Sequence, residues 1–172
     1  MRDSNWRNGL LLLAVALLTL AADQLSKFWI MNSLRPGESM VWIGGVHITY
    51  VTNTGVAFGL FRDQAILFVL IAAAVVTMII VYQHVLTSDA LLFRMALGLQ
   101  LGGAIGNLLD RLRFGYVVDF IDLRFWPVFN IADSAIVVGV FVLVGFLLFA
   151  PEELRIMSRR SEGAPSQGDG SR

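Results

Sequence analysis

Four runs free of lysine, arginine and acidic residues, Asn8–Ala22, Ala65–Leu86, Met95–Leu109 and Ser134–Ala150, set the architecture of this chain. With a few flanking residues each reaches the ~20 needed to cross ~30 Å of hydrocarbon. The 172 residues are 56% hydrophobic and only 15% charged, against roughly 25% charged in a soluble domain. The expectation is an all-α membrane protein. It is a four-transmembrane-helix bundle in one domain over residues 1–160, with helices at about 9–28, 65–86, 91–111 and 131–150 and a disordered Pro-, Ser-, Gly- and Arg-rich tail at 161–172.

Composition excludes several chemistries. A formal net charge of zero leaves no surplus of cations for nucleic-acid phosphates. The absence of cysteine removes disulfides, thiol catalysis and thiolate metal sites. His47 and His84 have no partner at metal spacing, so no metal is expected. Arg2 and Arg7 before Leu10–Ala22 resemble the start of a secretory signal peptide. A 20-residue helix counted from Gly9 runs past Asp23 to Phe28, so an uncleaved first helix is the simpler reading.

The loop after the first span reads as a small hairpin at the membrane surface, with arms Val41-Trp42-Ile43 and Val46–Thr52 around Gly44-Gly45. The connection from the third to the fourth span, Leu112–Phe129, holds Tyr116, Phe120, Phe125, Trp126 and Phe129, interrupted by Pro127. It reads as a short interfacial segment. Arginines and lysines tie between the two faces. The amino-terminal pair and Arg155, Arg159 and Arg160 are plain tail charges, whereas Lys27 and Arg111 have acidic neighbours, which points to cytoplasmic termini and an extracytoplasmic hairpin.

A chain crossing four times brings the ends of spans one and three and the starts of spans two and four to one face, so its polar residues converge there. Ionisable groups at membrane depth are costly, and a convergent set marks a functional site. Asp23 and Lys27 share one helix face at i, i+4, either as a helix-end ion pair whose lysine stem reaches the interface or as a buried structural or binding pair. Gly98, Gly102, Gly106 and Asp110 form one row on the third span, and Gly103, Asn107 and Arg111 the next. Such rows either let a helix approach closely or seat an extended substrate backbone. Asn53-Thr54-Gly55 taken alone is a turn.

Asp119, set among Val117, Val118 and Phe120, and Asp133, three residues after Asn130, are the expected catalytic pair. Asn130 or Asp133 alone would pass for a helix cap, but a cap needs no second aspartate among Val and Phe. Two carboxylates held close cannot both ionise, so one keeps a proton while the other takes one from water. A His-Glu-x-x-His helix and a Gly-x-Ser-x-Gly elbow are both absent. A small proton-coupled transporter is the alternative use of clustered carboxylates.

Five boxes in order, Asp23-Gln-x-Ser-Lys27, Asn53-Thr-Gly-x-Ala-Phe58, Gly102-Gly-Ala-x-Gly-Asn-x-x-Asp-Arg111, Val118-Asp-Phe120 and Phe129-Asn-x-Ala-Asp-Ser134, resemble lipoprotein signal peptidase, the bacterial signal peptidase II. The resemblance implies an aspartic endopeptidase of the bacterial inner membrane, with no cofactor. It would cut diacylglyceryl-modified prolipoproteins just before the lipid-bearing cysteine, with membrane lipid as its other partner. It places the site toward the outer face and both termini in the cytoplasm. It implies Asp119 and Asp133 as the dyad. Asn53, Gly55, Gly103, Asn107, Arg111 and Asn130 would line or support the site, and Asp23, Lys27 and Asp110 the fold or the substrate.

Overall fold

The computed structural model describes residues 2–54 and 91–149. The second apolar stretch, Gly55 and the tail lie outside these residues. The described elements run α1 (Arg2–Ser33), β1 (Ser39–Val41), β2 (His47–Asn53), α2 (Leu91–Phe114, the third apolar stretch), β3 (Val117–Asp122) and α3 (Ile131–Phe149, the fourth). Among them, Gly9–Ser33 and Leu91–Phe114 are long and apolar enough to cross a membrane, and Ile131–Phe146 is apolar but shorter.

Helix α1 shows why the chain belongs in lipid. Leu12, Ala16, Thr19, Asp23, Lys27 and Ile30 are buried at steps of three and four, one stripe of the helix. The opposite side presents Leu10, Leu13, Leu17, Leu18, Leu25, Phe28 and Trp29 outward. The apolar residues face out and the charges face in, the reverse of a water-soluble helix. The helix continues past the expected Phe28 to Ser33 because no breaker intervenes before Pro36, which disfavours helix at Arg35. Helix α2 likewise runs past Arg111 to Phe114, where Gly115 takes the left-handed conformation (φ 79°) and its N–H closes onto the Arg111 carbonyl at 3.0 Å.

Helix α2 is the central layer, packed on α1 along one side and α3 along the other, and its glycines are the contact surface. A Cβ at Gly102 would lie 2.5 Å from the Ala16 carbonyl oxygen of α1, and one at Gly103 would lie 2.5 Å from the Ala132 carbonyl oxygen of α3. Gly98 meets Leu12 and Val15, and Gly106 meets the Asp23 carboxylate. The rows are therefore filled by neighbouring helices, and the substrate-groove reading is corrected. Leu12, Ala16, Phe93, Leu97 and Leu101 form the core there, with Phe93 and Phe146 in ring contact at 5.7 Å.

The hairpin forms about the expected glycines. Gly44 and Gly45 both have positive φ (61° and 87°), and the Val46 N–H reaches the Ile43 carbonyl at 3.1 Å, the geometry of a type I′ turn. The 3–4 connection departs from expectation. Its β-branched run Val117–Asp122 is a third strand, antiparallel to β2 with Asn53 opposite Val117 and His47 opposite Asp122. Its aromatic content suggested an interfacial segment; of its far part, Phe125 and Trp126 are exposed. Val118 and Phe120 pack with Ile30, Ile48 and Tyr50, which seats the sheet on the end of α1. Alternation along the strand then turns Asp119 the other way, toward α2 and α3.

Candidate active site

Asp119 is buried, at 2% exposure, and each of its oxygens accepts from an asparagine amide. Asn53 Nδ2 reaches Oδ2 at 2.9 Å from β2, and Asn130 Nδ2 reaches Oδ1 at 2.7 Å from the head of α3. A register shift in β2 between Ile48 and Val51 sets which side chains of that strand meet β3. Asn130 comes into place because Phe129 returns to bond Ile121 (N–H to O 3.1 Å, and back 2.8 Å), after a turn in which the Arg124 N–H caps Asp122 Oδ1 at 2.8 Å.

Asn130 and Asp133 form a reciprocal cap. The Asp133 N–H donates to Asn130 Oδ1 at 2.9 Å, and the Asn130 N–H reaches Asp133 Oδ2 at 3.3 Å. The cap and the site are the same residues. Asn107 Nδ2 of α2 supplies Asp133 Oδ1 at 2.8 Å. The two aspartates are thus linked through one asparagine, on a strand and a helix joined by a short return. Burial lifts the Asp119 carboxyl to about 7. The Asp133 charge pushes in the same direction, while the Asn53 and Asn130 amides and Lys27 hold it lower.

Beneath this pair lies a second polar layer. Lys27 is 1% exposed, so its stem does not reach the interface. Its ammonium is 2.8 Å from Asp23 Oδ2, 2.8 Å from Asp110 Oδ2 and 3.0 Å from Asn107 Oδ1. The carboxylates in turn hold the backbone. Asp23 Oδ1 accepts the Ala132 N–H of α3 at 3.0 Å, and Asp110 Oδ2 accepts the Val118 N–H of β3 at 3.1 Å. Arg111 donates to the Asn107 carbonyl at 3.2 Å, within electrostatic reach of Asp133, Asp119 and Asp110.

Of the expected residues, Asp23, Lys27, Asn53, Asn107, Asp110, Arg111, Asp119, Asn130 and Asp133 converge. Gly103 is helix packing, and Gly55 lies outside the described residues. Gln24 was not singled out on its own. Its amide bridges Asp110 Oδ1 (2.9 Å), Asp23 Oδ2 (3.2 Å) and the Gly106 carbonyl (3.3 Å), and its place inside the polar run Asp23–Lys27 was the available signal.

The site opens through Asp133, which is half-buried. It lines a pocket of ≈ 410 Å³ with Leu123, Phe125, Trp126, Phe129, Val137 and Val138, an almost wholly apolar wall. Chemically, the arrangement offers a buried carboxyl that keeps a proton near neutrality beside a more open carboxylate, at the edge of an apolar recess.

The chain is similar to known proteins over most of its length. Residues 15–149 match the family model described as signal peptidase (SPase) II. A lipoprotein signal peptidase of Moorella thermoacetica is 52% identical over 82% of this chain and 95% of its own. One of Halothermothrix orenii is 42% identical over 77% of this chain and 92% of its own. Among solved structures, a bacterial membrane enzyme determined in meso at 1.9 Å resolution superposes with a TM-score of 0.75 at 31% identity, covering 80% of this chain and 92% of its own.

Proposed function

Because the chain belongs to the signal peptidase II family, we propose that it is an aspartic endopeptidase that removes signal peptides from diacylglyceryl-modified prolipoproteins, cutting immediately before the lipidated cysteine. The observation that carries the aspartic assignment is the pairing of Asp119 and Asp133 through Asn130 at the edge of an apolar pocket.

Asp133 is the base. Both its oxygens receive N–H donors, it stands in the first turn of α3 where the helix dipole favours negative charge, and it faces the pocket. Asp119, kept protonated by burial, is the acid. A water gives a proton to Asp133 as its oxygen attacks the scissile carbonyl carbon, and Asp119 gives its proton to the carbonyl oxygen. Collapse breaks the C–N bond, the Asp133 proton passes to the leaving amine, and Asp119 recovers its own from the hydroxyl oxygen. The products are a signal peptide carboxylate and a lipoprotein with a free amine on its lipidated cysteine.

In this reading the protein sits in the bacterial inner membrane with both termini in the cytoplasm and the sheet and dyad on the outer side. The apolar pocket beside Asp133 suits a lipid-bearing substrate better than a soluble peptide. Since a lipidated substrate is already in the bilayer, the gain is chiefly in positioning the scissile bond. The transporter alternative finds no support: acids are absent from Gly9–Ala22 and from Leu91–Leu109, and Asp23, Asp110, Asp119 and Asp133 of the site lie together at one end of the helices.

The test is purified protein against two lipobox peptides that differ only in the diacylglyceryl group on cysteine. The lipidated peptide is expected to be cut on the amino side of the cysteine and the unmodified one poorly. Equal rates would leave a peptidase but remove its lipoprotein specificity.

A further inference from the structure

We infer that Lys27 is a positioning residue for the reaction, holding the Asn107 oxygen so that the Asn107 NH₂ donates to Asp133; this rests on the peptidase reading above.

An ammonium has three donors and no acceptor. All three are used here, on Asp23, Asp110 and Asn107. The atom of Asn107 that faces Lys27 must therefore be its oxygen, and its NH₂ is turned to Asp133 Oδ1 at 2.8 Å. The same Asn107 oxygen also accepts from Asn130 Nδ2 at 3.1 Å. Asn130 is fixed from its other end as well, because the backbone N–H of Asp133 is a donor only and holds Asn130 Oδ1 at 2.9 Å. The Asn130 NH₂ is left to face Asp119 Oδ1 at 2.7 Å. Lys27 and Asn130 thus both donate to the Asn107 oxygen, and each amide presents its NH₂ to one of the two carboxyls.

The consequence is chemical. A carboxyl that meets only donors has no amide oxygen to which it can give a proton. The proton on Asp119 stays available for the reacting oxygen. Without the ammonium, only the Asn130 NH₂ at 3.1 Å still holds the Asn107 oxygen, and an Asn107 that turned this oxygen to Asp133 would let Asp133 hold a proton against it and fail as a base. Asp23 and Asp110 contribute by holding the ammonium in place within a buried layer.

Two variants test this. Asn107→Asp exchanges one donor NH₂ for an oxygen, preserves the acceptor facing Lys27 and Asn130, and reverses polarity only at Asp133. The triple variant Lys27→Met, Asp23→Asn, Asp110→Asn removes the ammonium together with both counter-charges, so no lone buried charge remains. Each is assayed for kcat and KM on the diacylglyceryl lipobox peptide, with thermal unfolding in the same detergent. Expected are a kcat lower by about 10- to 100-fold in both, the size of loss seen when outer-shell partners of metal ligands are removed, KM little changed, and an unfolding temperature close to wild type for the triple variant, with Asn107→Asp the less stable because it buries a further carboxylate beside Asp133. A purely structural role would lower stability and leave no kcat-specific loss. Wild-type kcat in either folded variant overturns the inference, and should the triple variant not fold, Asn107→Asp decides alone. Failure of the wild-type protein to cut the peptide would instead overturn the peptidase reading on which this rests.

Discussion

Asp119→Asn and Asp133→Asn are each expected to abolish cleavage, with losses of at least about 10²–10⁴-fold, because each removes a proton-transfer group at constant volume. Membrane insertion and folding should survive. An amide at 119 still accepts on one oxygen from Asn53 or Asn130, and one at 133 remains within the cap of α3. The two variants should differ in stability. The folded-state pKa of Asp119, about 7, lies above its ordinary value of 3.8, so the stabilising contribution of its neutral form is complete below 3.8 and is lost as pH rises toward 7. Asp119→Asn is neutral at every pH. Its unfolding temperature relative to wild type should therefore climb across that window and level off above it. Turnover near wild type by either variant would remove the dyad.

The second large effect concerns charge balance below the dyad. Lys27→Met alone leaves Asp23 and Asp110 buried without their cation, and breaking a buried pair from one side costs about 3–5 kcal/mol. The damage should spread to the sheet and to α3, since Asp110 holds the Val118 N–H and Asp23 the Ala132 N–H. Chemical or thermal unfolding of Lys27→Met beside the triple neutral variant measures this. The single variant should be much the less stable, and equal stabilities would show that the ammonium does not compensate the two carboxylates.

That Asp119 and Asp133 come together was legible because an aspartate among Val and Phe has no surface role, and because topology alone brings β3 and the head of α3 to one end of the helices. The two-residue glycine turn of the hairpin was legible because adjacent glycines between β-rich arms specify it, and the structure adds its type, I′. The fate of Lys27 was not. A lysine at i+4 from an aspartate is equally suited to the interface or to burial, and what decides is Asp110, on a helix far along the chain. The glycine rows were ambiguous for the same reason, since small residues invite any close neighbour and only the structure shows that α1 and α3 occupy both sides. Strand β3 was hidden because its pairing partner, β2, lies more than sixty residues earlier and the aromatics around it pointed to an interface.

The central claim is that hydrolysis depends on a proton held by Asp119 while Asp133 is free to accept one. It is tested most directly by the pH dependence of kcat/KM of the wild-type protein on the diacylglyceryl lipobox peptide, from about pH 5 to 9. Asp119 is faced by Asp133 from α3 and influenced by Lys27 from α1 and Arg111 from α2, so the observed value belongs to the coupled pair. A fall in kcat/KM as pH passes about 7, where Asp119 gives up its proton, is the predicted result. Activity that stays level or rises through pH 9 would contradict it.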